Sequence, residues 1–420
     1  MRTILHCDCN SFFASVETAL NPAYRDVPMA VCGSTEDRHG IVLAKNERAK
    51  KLGIKTAETV FSAKKKCPEL VIASPHYDEY VRYSEAVNAI YARYTDLIEP
   101  FGIDESWLDV TASRLLFGSG FDIAEKIRRD VREELNITVS VGVSFNKVFA
   151  KLGSDYKKPD ATTVISEDNF RQFVYPLPVE DLLFVGKKTA DELGRMGVRT
   201  IGDLAAVSEK MLVSRFGKAG EALYSYANGL DEAPVMPPSG ELQKSISNGF
   251  TFRHDLCNPD ECRTGIYYLS EQLGARLRRQ GQLCRTVQLA IKDSFLRVIQ
   301  RQSPIDPPTD VGGEIAACAR SLLAKSWQCG KPIRMLTVTV SNLMLKSELS
   351  EQIDLLSPNG DAYHKKSEKK EIAMDIIRQK YGAMAINRGS IMNTDIGIEG
   401  AGIRNALKSA KDKKADNQET

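Results

Sequence analysis

The amino-acid sequence predicts an α+β protein built from several domains. Its 420 residues exceed what one hydrophobic core usually organises. Hydrophobic residues make up 42% of the chain and charged residues 27%, proportions that are ordinary for globular proteins. Short apolar runs typical of strands alternate with segments of helical periodicity, and a Pro-rich stretch at residues 234–240 separates two such regions.

The bulk composition excludes several classes but indicates no partner. The 57 Lys and Arg residues nearly cancel the 55 Asp and Glu residues, so binding to nucleic acid would have to rest on local clusters of charge. No apolar run approaches the roughly 18 residues of a membrane span, and residues 1–10 lack the apolar core of a secretion signal. The nine cysteines include no Cys-x-x-Cys pair, which argues against structural zinc and disulfides and fits a reducing cytoplasm.

Strands and helices are predicted in alternation over the first 165 residues. The run ILHCDC forms a buried strand whose alternation places His6, Asp8 and Asn10 on one face. Ser11 is suited to cap the helix that follows. A mixed region up to residue 76 contains the strand VPMAVCG and the helix NERAKKLG. Further helices are predicted at 78–94, 123–135 and 147–156, and further strands at IEPFGI, SWLDVT and TVSVGVS.

The remainder of the chain is divided by a linker. Short helices are predicted between residues 167 and 233, and PVMPPSG at 234–240 is expected to be stiff and solvated. The order strand, helix, strand, strand, helix, strand then predicts a ferredoxin-like βαββαβ module. One more helix is predicted at 369–381, and the polar residues 409–420 are expected to be a disordered tail.

Three acidic residues from distant parts of the chain form the first candidate site. Asp8 lies at the end of one predicted strand, and Asp104 and Glu105 lie at the turn between two others. If these strands are neighbours in one sheet, three carboxylates converge at its edge and repel one another. A pair of divalent cations would remove the repulsion and create a site for phosphoryl transfer. The alternative is two unrelated acidic turns at the surface.

Four motifs occur in order along the first 160 residues: DCNSFFASVE, GIVLAKNERAKKLGIK, GIDESWLDVT and VSVGVSFNKVFAKLGSDYKKPD. Together they resemble the Y-family DNA polymerases of the bacterial DinB and UmuC type, and with weaker matches beyond them the resemblance covers residues 1–346. It implies a low-fidelity, template-directed DNA polymerase for lesion bypass, a monomer acting on primer–template DNA and dNTPs in the bacterial cytoplasm at the nucleoid. Two alternative functions remain. One is a catalytically inactive relative that serves as a DNA- and clamp-binding adaptor, and the other is a nucleotidyl cyclase with a similar palm.

The resemblance also implies a right-hand polymerase architecture. The ferredoxin-like palm would comprise residues 1–19 and 77–165, and the small fingers residues 20–76. A helical thumb with a helix-hairpin-helix would span 166–233, and the linker at 234–240 would lead to the βαββαβ little finger at 241–346. Residues 347–420 would form a C-terminal extension with a flexible tail. No role is assigned to residues 363–393 within that extension.

The palm carboxylates would hold two Mg²⁺ ions, for which Mn²⁺ is a possible substitute. By resemblance, Asp8 and Asp104 bridge the metals, and Glu105 helps to bind the ion that activates the primer 3′-OH. The backbone carbonyl of Cys9 would contact the metal on the nucleotide side. Asp109 is expected to order its strand rather than to bind metal.

Aromatic and basic residues would select and hold the nucleotide. Phe13 matches the family's steric gate, a ring that leaves no room for a ribose 2′-OH. Phe12 belongs either to the apolar face of its helix or to a wall of the nucleotide pocket. The fingers motif departs from many DinB-type enzymes, because Ala44 and Glu47 stand where a Thr and a Tyr are usual. The expected contacts to the triphosphate are Lys45, Lys50 and Lys158.

Two regions are candidates for gripping DNA. The segment LLFVGKKTADELGRMGVRTIGDLA resembles a helix-hairpin-helix, which binds a phosphate through backbone N–H groups. Phe184 stands where the first hairpin glycine is usual, so only Gly186 remains, and the alternative is an ordinary packed pair of helices. Basic residues on the strands of the βαββαβ module suit DNA backbones that cross a sheet. The candidate DNA contacts are Gly186, Lys187, Lys188, Lys244, Arg253, Lys292, Arg297 and Arg301.

A short peptide after the βαββαβ module is a candidate for binding a sliding clamp. Its residues Gln352, Ile353, Asp354, Leu355 and Leu356 resemble the peptide with which bacterial polymerases bind that ring. The glutamine would supply polar anchoring while the three apolar side chains fill pockets. The alternative is an amphipathic turn without a partner.

Overall fold

A computed structural model of the protein describes residues 2–33, 40–238, 242–328, 330–349, 358–382, 385–392 and 394–398. These residues form two units, the first holding the described residues up to 238 and the second those from 242 onward. The division falls at the end of the predicted linker. Within the described ranges, no helix is long and apolar enough to cross a membrane.

The first unit contains two sheets and most of the helices. Its strands are β1 (Ile4–Cys9), β2 (Met29–Cys32), β3 (Val42–Lys45), β4 (Val71–Ala73), β5 (Ile98–Pro100), β6 (Glu105–Asp109), β7 (Val139–Ser144) and β8 (Thr162–Ile165). Its helices are α1 (Phe12–Leu20), α2 (Glu47–Lys51), α3 (Val60–Lys66), α4 (Tyr77–Tyr91), α5 (Arg114–Phe117), α6 (Gly120–Leu135), α7 (Lys147–Tyr156), α8 (Phe170–Val174), α9 (Lys187–Arg195), α10 (Ile201–Ala206), α11 (Glu209–Phe216) and α12 (Lys218–Ala227).

A five-stranded sheet with the order β5-β6-β1-β7-β8 organises the first unit. The predicted alternation along β1 is confirmed, because Cys7 and Cys9 face a core shared with α1, α4 and α6. Helix α7 covers the opposite face and joins that face to helices α8–α12 through a second core. Ser11 precedes α1 in a left-handed conformation with φ 47° and its side chain makes no capping hydrogen bond, so the predicted cap was wrong.

A three-stranded sheet with the order β3-β2-β4 forms the small region between α1 and α4. The sequence predicted only the strand β2 and the helix α2 there, because β3 and β4 are too short for a periodic pattern. Asn46 is the N-cap of helix α2, and its side-chain oxygen accepts hydrogen bonds from the N–H groups of Ala49 and Met29. One asparagine therefore caps α2 and ties it to β2.

The first residues of the predicted linker are anchored rather than solvated. Val235 is buried in a cluster with Ile4, Trp107 and Ala150. The N–H of Met236 donates a hydrogen bond to Glu99 at 2.8 Å. The prediction of a solvated linker was wrong here because the apolar side chain of Val235, within the Pro-rich run, packs against the five-stranded sheet.

The second unit confirms the βαββαβ order. It contains β9 (Ser245–Leu256), α13 (Pro259–Arg279), β10 (Gln282–Asp293), β11 (Val298–Thr309), α14 (Gly312–Ser326), β12 (Ile333–Leu345), α15 (Pro358–Tyr381) and α16 (Gly389–Met392). Its antiparallel sheet has the order β11-β10-β12-β9, and α13 and α14 pack on one face of it.

The segment beyond β12 packs on the same unit through buried charges. The Glu371 carboxylate accepts hydrogen bonds from the N–H groups of Gly312 and Gly313 at the start of α14, and from Arg278 at 2.8 Å. The apolar side chains of Ile391, Ile396 and Ile398 lie in the core of the unit. Residues 363–393, to which no role was assigned from the sequence, therefore include structural parts of the second unit.

Candidate active site

The carboxylates from distant parts of the chain lie at one edge of the five-stranded sheet. Asp8, near the end of β1, stands opposite Glu105 in the ladder with β6 and opposite Ser140 in the ladder with β7. Asp104 precedes β6, and its backbone carbonyl accepts a hydrogen bond from the N–H of Cys9 at 2.9 Å. The ladder between β1 and β6 and this hydrogen bond therefore fix the three acidic residues relative to one another.

Two of the three carboxylates at this edge have raised pKa values. Burial, together with the charges of Asp8 and Glu105, raises the pKa of Asp104 to about 6. Burial also raises the pKa of Asp8, although the nearby Lys158 ammonium opposes the rise. Burial is the larger cause of both shifts, and for Asp104 the two neighbouring negative charges oppose ionisation as well.

Glu105 differs because two partners outweigh its burial. Burial favours the protonated acid, but His6 and Lys151 lower the pKa of Glu105 to about 2. The Lys151 Nζ atom lies 2.5 Å from a carboxylate oxygen, and His6 Nε2 lies 3.4 Å from the same oxygen. His6 is fully buried, and its Nδ1 atom lies 2.8 Å from Ser154 Oγ on α7. Glu105 is thus held ionised by groups from β1 and α7.

Lys158 lies against the carboxylates. Its Nζ atom is 2.7 Å from Asp8 and 2.8 Å from Asp155. Burial opposes its charge, but these two carboxylates raise the pKa of Lys158 above its ordinary value. A permanently charged ammonium at the edge of the sheet is suited to attract a phosphate.

Lys151 and His6 are members of the site that were not predicted from the sequence. Lys151, Asp155 and Lys158 are spaced by four and three residues, which places them on one side of α7 and its C-terminal end. His6 is two residues from Asp8 on a strand, so the two side chains share a face. Both signals were present in the sequence.

The donor set fits divalent metal ions. In the part of the chain that the structure describes, no three His, Cys, Asp or Glu side chains are grouped closely enough to form a ready-made metal cage. Asp8, Asp104 and Glu105 nevertheless supply hard oxygen ligands, the kind that Mg²⁺ prefers. The raised pKa of Asp104 shows a repulsion that a bound cation would relieve. The Cys9 side chain lies in the core, so only its backbone remains available to the site.

Phe12 and Phe13 have different environments on α1. Phe12 is only 3% exposed and lies in the core, which agrees with the apolar-face interpretation. Phe13 is half-buried and stacks on Tyr80 with ring centroids 4.1 Å apart and an interplanar angle of 10°. The Tyr80 hydroxyl in turn donates a hydrogen bond to Glu17 at 2.5 Å. The Phe13 ring is therefore backed by a buried, hydrogen-bonded aromatic side chain.

Two of the predicted phosphate contacts lie together in the small region of the fold. Burial lowers the pKa of Lys45, and the positive charge of Lys50 lowers it further. Lys45 donates a hydrogen bond to Thr56 at 2.9 Å, and Lys50 lies 3.6 Å from Glu47. Helix α1 packs on this region, with Phe13 and Ala44 against one apolar cluster. The two lysines form a basic surface, because Lys45 bonds to a neutral hydroxyl and only Lys50 lies beside a carboxylate.

The candidate DNA hairpin comprises residues 184–188. Gly186 precedes α9, has no side-chain cap, and has open space around its Cα. Lys187 and Lys188 are exposed in the first turn of α9. Phe184 adopts a positive φ of 65°, the conformation that a glycine would accept without strain. The backbone geometry thus resembles a glycine hairpin although a phenylalanine occupies the position.

The basic residues of the second unit do not share one face of its sheet. Lys292 pairs with Val298 in the ladder, whereas Arg301 pairs with Leu289, a core residue beneath the helices. Because paired residues project to the same side, Arg301 lies on the helix-covered side at the exposed edge. Arg301 and Lys292 therefore lie on opposite sides of the sheet, and both stay candidate DNA contacts. Arg253 contacts Asp395 at 2.5 Å, Arg297 contacts Asp293 at 3.0 Å, and Lys244 is exposed.

The predicted clamp-binding peptide, residues 352–356, lies outside the described residues. Leu349 ends the described part of the chain before it, and Pro358 begins the next part.

Comparison with known proteins connects these features. Residues 7–155 match the model of the impB/mucB/samB family, and residues 243–355 match the model of that family's C-terminal domain. Residues 180–231 match a thumb-domain model named for DNA polymerase-iota. The fold matches a solved Y-family DNA polymerase chimera with a TM-score of 0.73 and 24% identity, covering 82% of this chain and 99% of that one.

Named relatives match over nearly the whole length. A protein of Acetivibrio thermocellus named DNA polymerase IV is 48% identical over 93% of this chain and 98% of its own length. A protein of Bacillus subtilis named DNA polymerase IV 1 is 36% identical over 94% of each chain. The fold is that of a Y-family DNA polymerase. Within that class, this chain belongs to the impB/mucB/samB family.

Proposed function

We propose that this chain is a template-directed, low-fidelity DNA polymerase that copies damaged templates. It joins a dNMP from an incoming dNTP to the primer 3′-OH and releases pyrophosphate. The observation that carries the proposal is the convergence of Asp8, Asp104 and Glu105 beside Lys158, in a chain 48% identical to a protein named DNA polymerase IV.

The proposed cofactors are two Mg²⁺ ions, which Mn²⁺ can replace. Asp8 and Asp104 would hold both ions, Glu105 the ion nearer the primer, and the Cys9 carbonyl the ion nearer the nucleotide. When bound, the ions supply the positive charge that phosphoryl transfer requires. Lys151 and His6 keep Glu105 ionised and oriented, since they lower its pKa to about 2. Lys158, Lys45 and Lys50 would neutralise the triphosphate.

The domains have separate proposed roles. The palm (1–19 and 77–165) carries the chemistry, and the fingers (20–76) cover the nucleotide. The thumb (166–233) and the little finger (241–346) hold the DNA backbone, each through its own candidate DNA contacts. The linker at 234–240 joins these two domains. The extension (347–420) includes the proposed clamp peptide. We propose a monomer that works in the cytoplasm at the nucleoid.

Primer extension by the purified full-length chain tests the function directly. With Mg²⁺, dNTPs and primer–template DNA, we expect extension on an undamaged template and insertion opposite an abasic site. The inactive-adaptor alternative instead predicts DNA binding without extension. A cyclase would consume nucleotides without DNA, and either of these outcomes would exclude the proposal.

Replacing Phe13 by alanine is expected to raise ribonucleotide incorporation relative to deoxyribonucleotide incorporation by roughly 10- to 200-fold, the range over which apolar pockets discriminate small groups. In this proposal, the stacking on the hydrogen-bonded Tyr80 ring would prevent the native Phe13 ring from moving away from a 2′-OH. Single-nucleotide insertion kinetics with matched dNTP and rNTP measure the ratio. Phe13→Tyr keeps the stacked ring and should keep the discrimination. An unchanged ratio in Phe13→Ala would remove Phe13 from this role.

Deleting residues 352–356 is expected to abolish stimulation by the bacterial sliding clamp and to leave basal synthesis unchanged. The proposed peptide acts through its glutamine and three apolar side chains, separately from the palm. Extension on a primed circular template, with and without loaded clamp, measures the stimulation. Replacement of residues 352–356 by an equally long Gly/Ser segment controls for chain length. Equal stimulation of the native and deleted proteins would refute the clamp role.

A further inference from the structure

Phe184 is held in a conformation that its residue type disfavours. Its φ of 65° lies in the left-handed region, where a side chain crowds the following backbone. Its side chain is 66% exposed, so burial of the ring does not account for the conformation. Residues held this way persist when their surroundings fix them, and they concentrate at functional sites.

The Phe184 ring contacts two other aromatic rings of the first unit. The Phe101 ring centroid lies 6.3 Å away at an interplanar angle of 76°, and the Tyr226 centroid lies 6.4 Å away. Phe101 belongs to the turn between β5 and β6, where its N–H donates a hydrogen bond to the backbone carbonyl of Glu105 at 3.0 Å. This turn contains Asp104. The candidate DNA hairpin therefore contacts the same turn that positions two of the site's carboxylates.

The contacts continue from this turn to the buried side of the site. Phe101 packs on Trp107 at 4.6 Å between centroids, and Trp107 packs edge-on against His6 at 5.2 Å. The Lys151 ammonium lies 5.6 Å from the centroid of Phe101 and 2.5 Å from Glu105. A continuous set of aromatic and cationic contacts thus links residue 184 to Glu105.

We propose that Phe184 is a positioning residue that fixes the candidate DNA hairpin against the turn carrying Asp104 and Glu105, an inference that rests on the proposed polymerase function. Gly186, Lys187 and Lys188 hold the DNA phosphate, and Phe184 sets where that phosphate lies relative to the carboxylates. A glycine at position 184 would form the same hairpin without strain but would lose the contact with Phe101. The strain is maintained by the ring contact, and the ring contact aligns the primer end.

The test compares Phe184→Gly with Phe184→Tyr and with Ala57→Gly. Ala57 has a φ of 67° and is exposed, so its replacement relieves the same kind of backbone strain outside the hairpin. We expect Phe184→Gly to retain the native unfolding temperature and primer–template affinity, but to lower the single-turnover insertion rate at saturating DNA about 10- to 100-fold. Phe184→Tyr keeps the aromatic ring and should keep the native insertion rate. Ala57→Gly should leave that rate unchanged.

A second readout follows Trp107, which lies in the contact chain. In a Trp327→Phe background, Trp107 is the single tryptophan, since the chain has two. We expect DNA binding to change its emission and acrylamide quenching, and Phe184→Gly to remove that change at equal DNA occupancy. A native insertion rate in Phe184→Gly, or weaker DNA binding with a native rate at saturation, would overturn the proposal. If the native chain extended no primer, the proposed function would fail, while the Trp107 signal would still decide the coupling.

Discussion

Replacing Asp104 by asparagine is expected to lower nucleotide addition by about 10²- to 10³-fold while leaving the first unit folded. This is the order of loss found when a group that stabilises transition-state charge is removed. The substitution changes neither the size of the side chain nor the backbone carbonyl that accepts the N–H of Cys9. Only the negative charge and its capacity to hold a divalent cation are lost.

The same substitution is expected to leave the metal-free protein at least as stable as the native one. The pKa of Asp104 is raised to about 6, first by burial and then by Asp8 and Glu105. Such a group favours the folded state while it is protonated, and this contribution is lost as the pH rises through its folded pKa. At neutral pH the ionised carboxylate is therefore destabilised by its burial and by the charges of Asp8 and Glu105, and a neutral amide carries no charge to be destabilised.

Thermal unfolding and primer extension together test the metal role of Asp104. In EDTA, Asp104→Asn should unfold at or above the native temperature, and added Mg²⁺ should raise the unfolding temperature of the native chain more than that of the variant. Asp109→Asn is the matched control on β6, because Asp109 accepts the N–H of Thr111 at 2.9 Å and an amide oxygen can do the same. Native activity in Asp104→Asn, or an equal loss in Asp109→Asn, would contradict the assignment.

The sequence was sufficient for the parts of the fold that repeat a clear period. Strand alternation placed Cys7 and Cys9 in the core and Asp8 on the other face, and the order of elements predicted the second unit correctly. The convergence of Asp8 with Asp104 and Glu105 needed one further assumption, that their strands are neighbours. The ladder between β1 and β6 satisfies it.

The features that the sequence could not give depend on contacts between distant segments. Nothing in the run PVMPPSG indicates that Val235 would be buried against the five-stranded sheet. The side of the second sheet on which Arg301 lies depends on its pairing with Leu289, and a single-residue change of register would reverse it. Lys151 acquires its role only because α7 lies across the sheet and brings its ammonium to Glu105.

Replacing Gly142 by alanine is expected to destabilise the first unit strongly and to impair catalysis through the same displacement. A Cβ atom at Gly142 would lie 1.8 Å from the backbone oxygen of Ala150 and 2.4 Å from the backbone nitrogen of Ser154. Neither atom belongs to a flexible side chain, so the whole of α7 must move away from β7. Overpacking of a core contact costs about 1–3 kcal/mol, and a clash with backbone belongs at or above the upper end.

The displacement reaches the site because α7 carries its supporting groups. Ser154 holds His6, which stands opposite Gly142 in the ladder between β1 and β7, and Lys151 holds Glu105. Chemical denaturation and primer extension should therefore both show a large loss. Gly194→Ala is the matched control, because Gly194 lies in α9 with nothing within 4 Å of the added Cβ atom, and alanine favours a helix by about 1 kcal/mol. A Gly142→Ala variant as stable and active as the Gly194→Ala variant would mean that α7 does not lie this close to β7, and the positions assigned to Lys151 and His6 would fail with it.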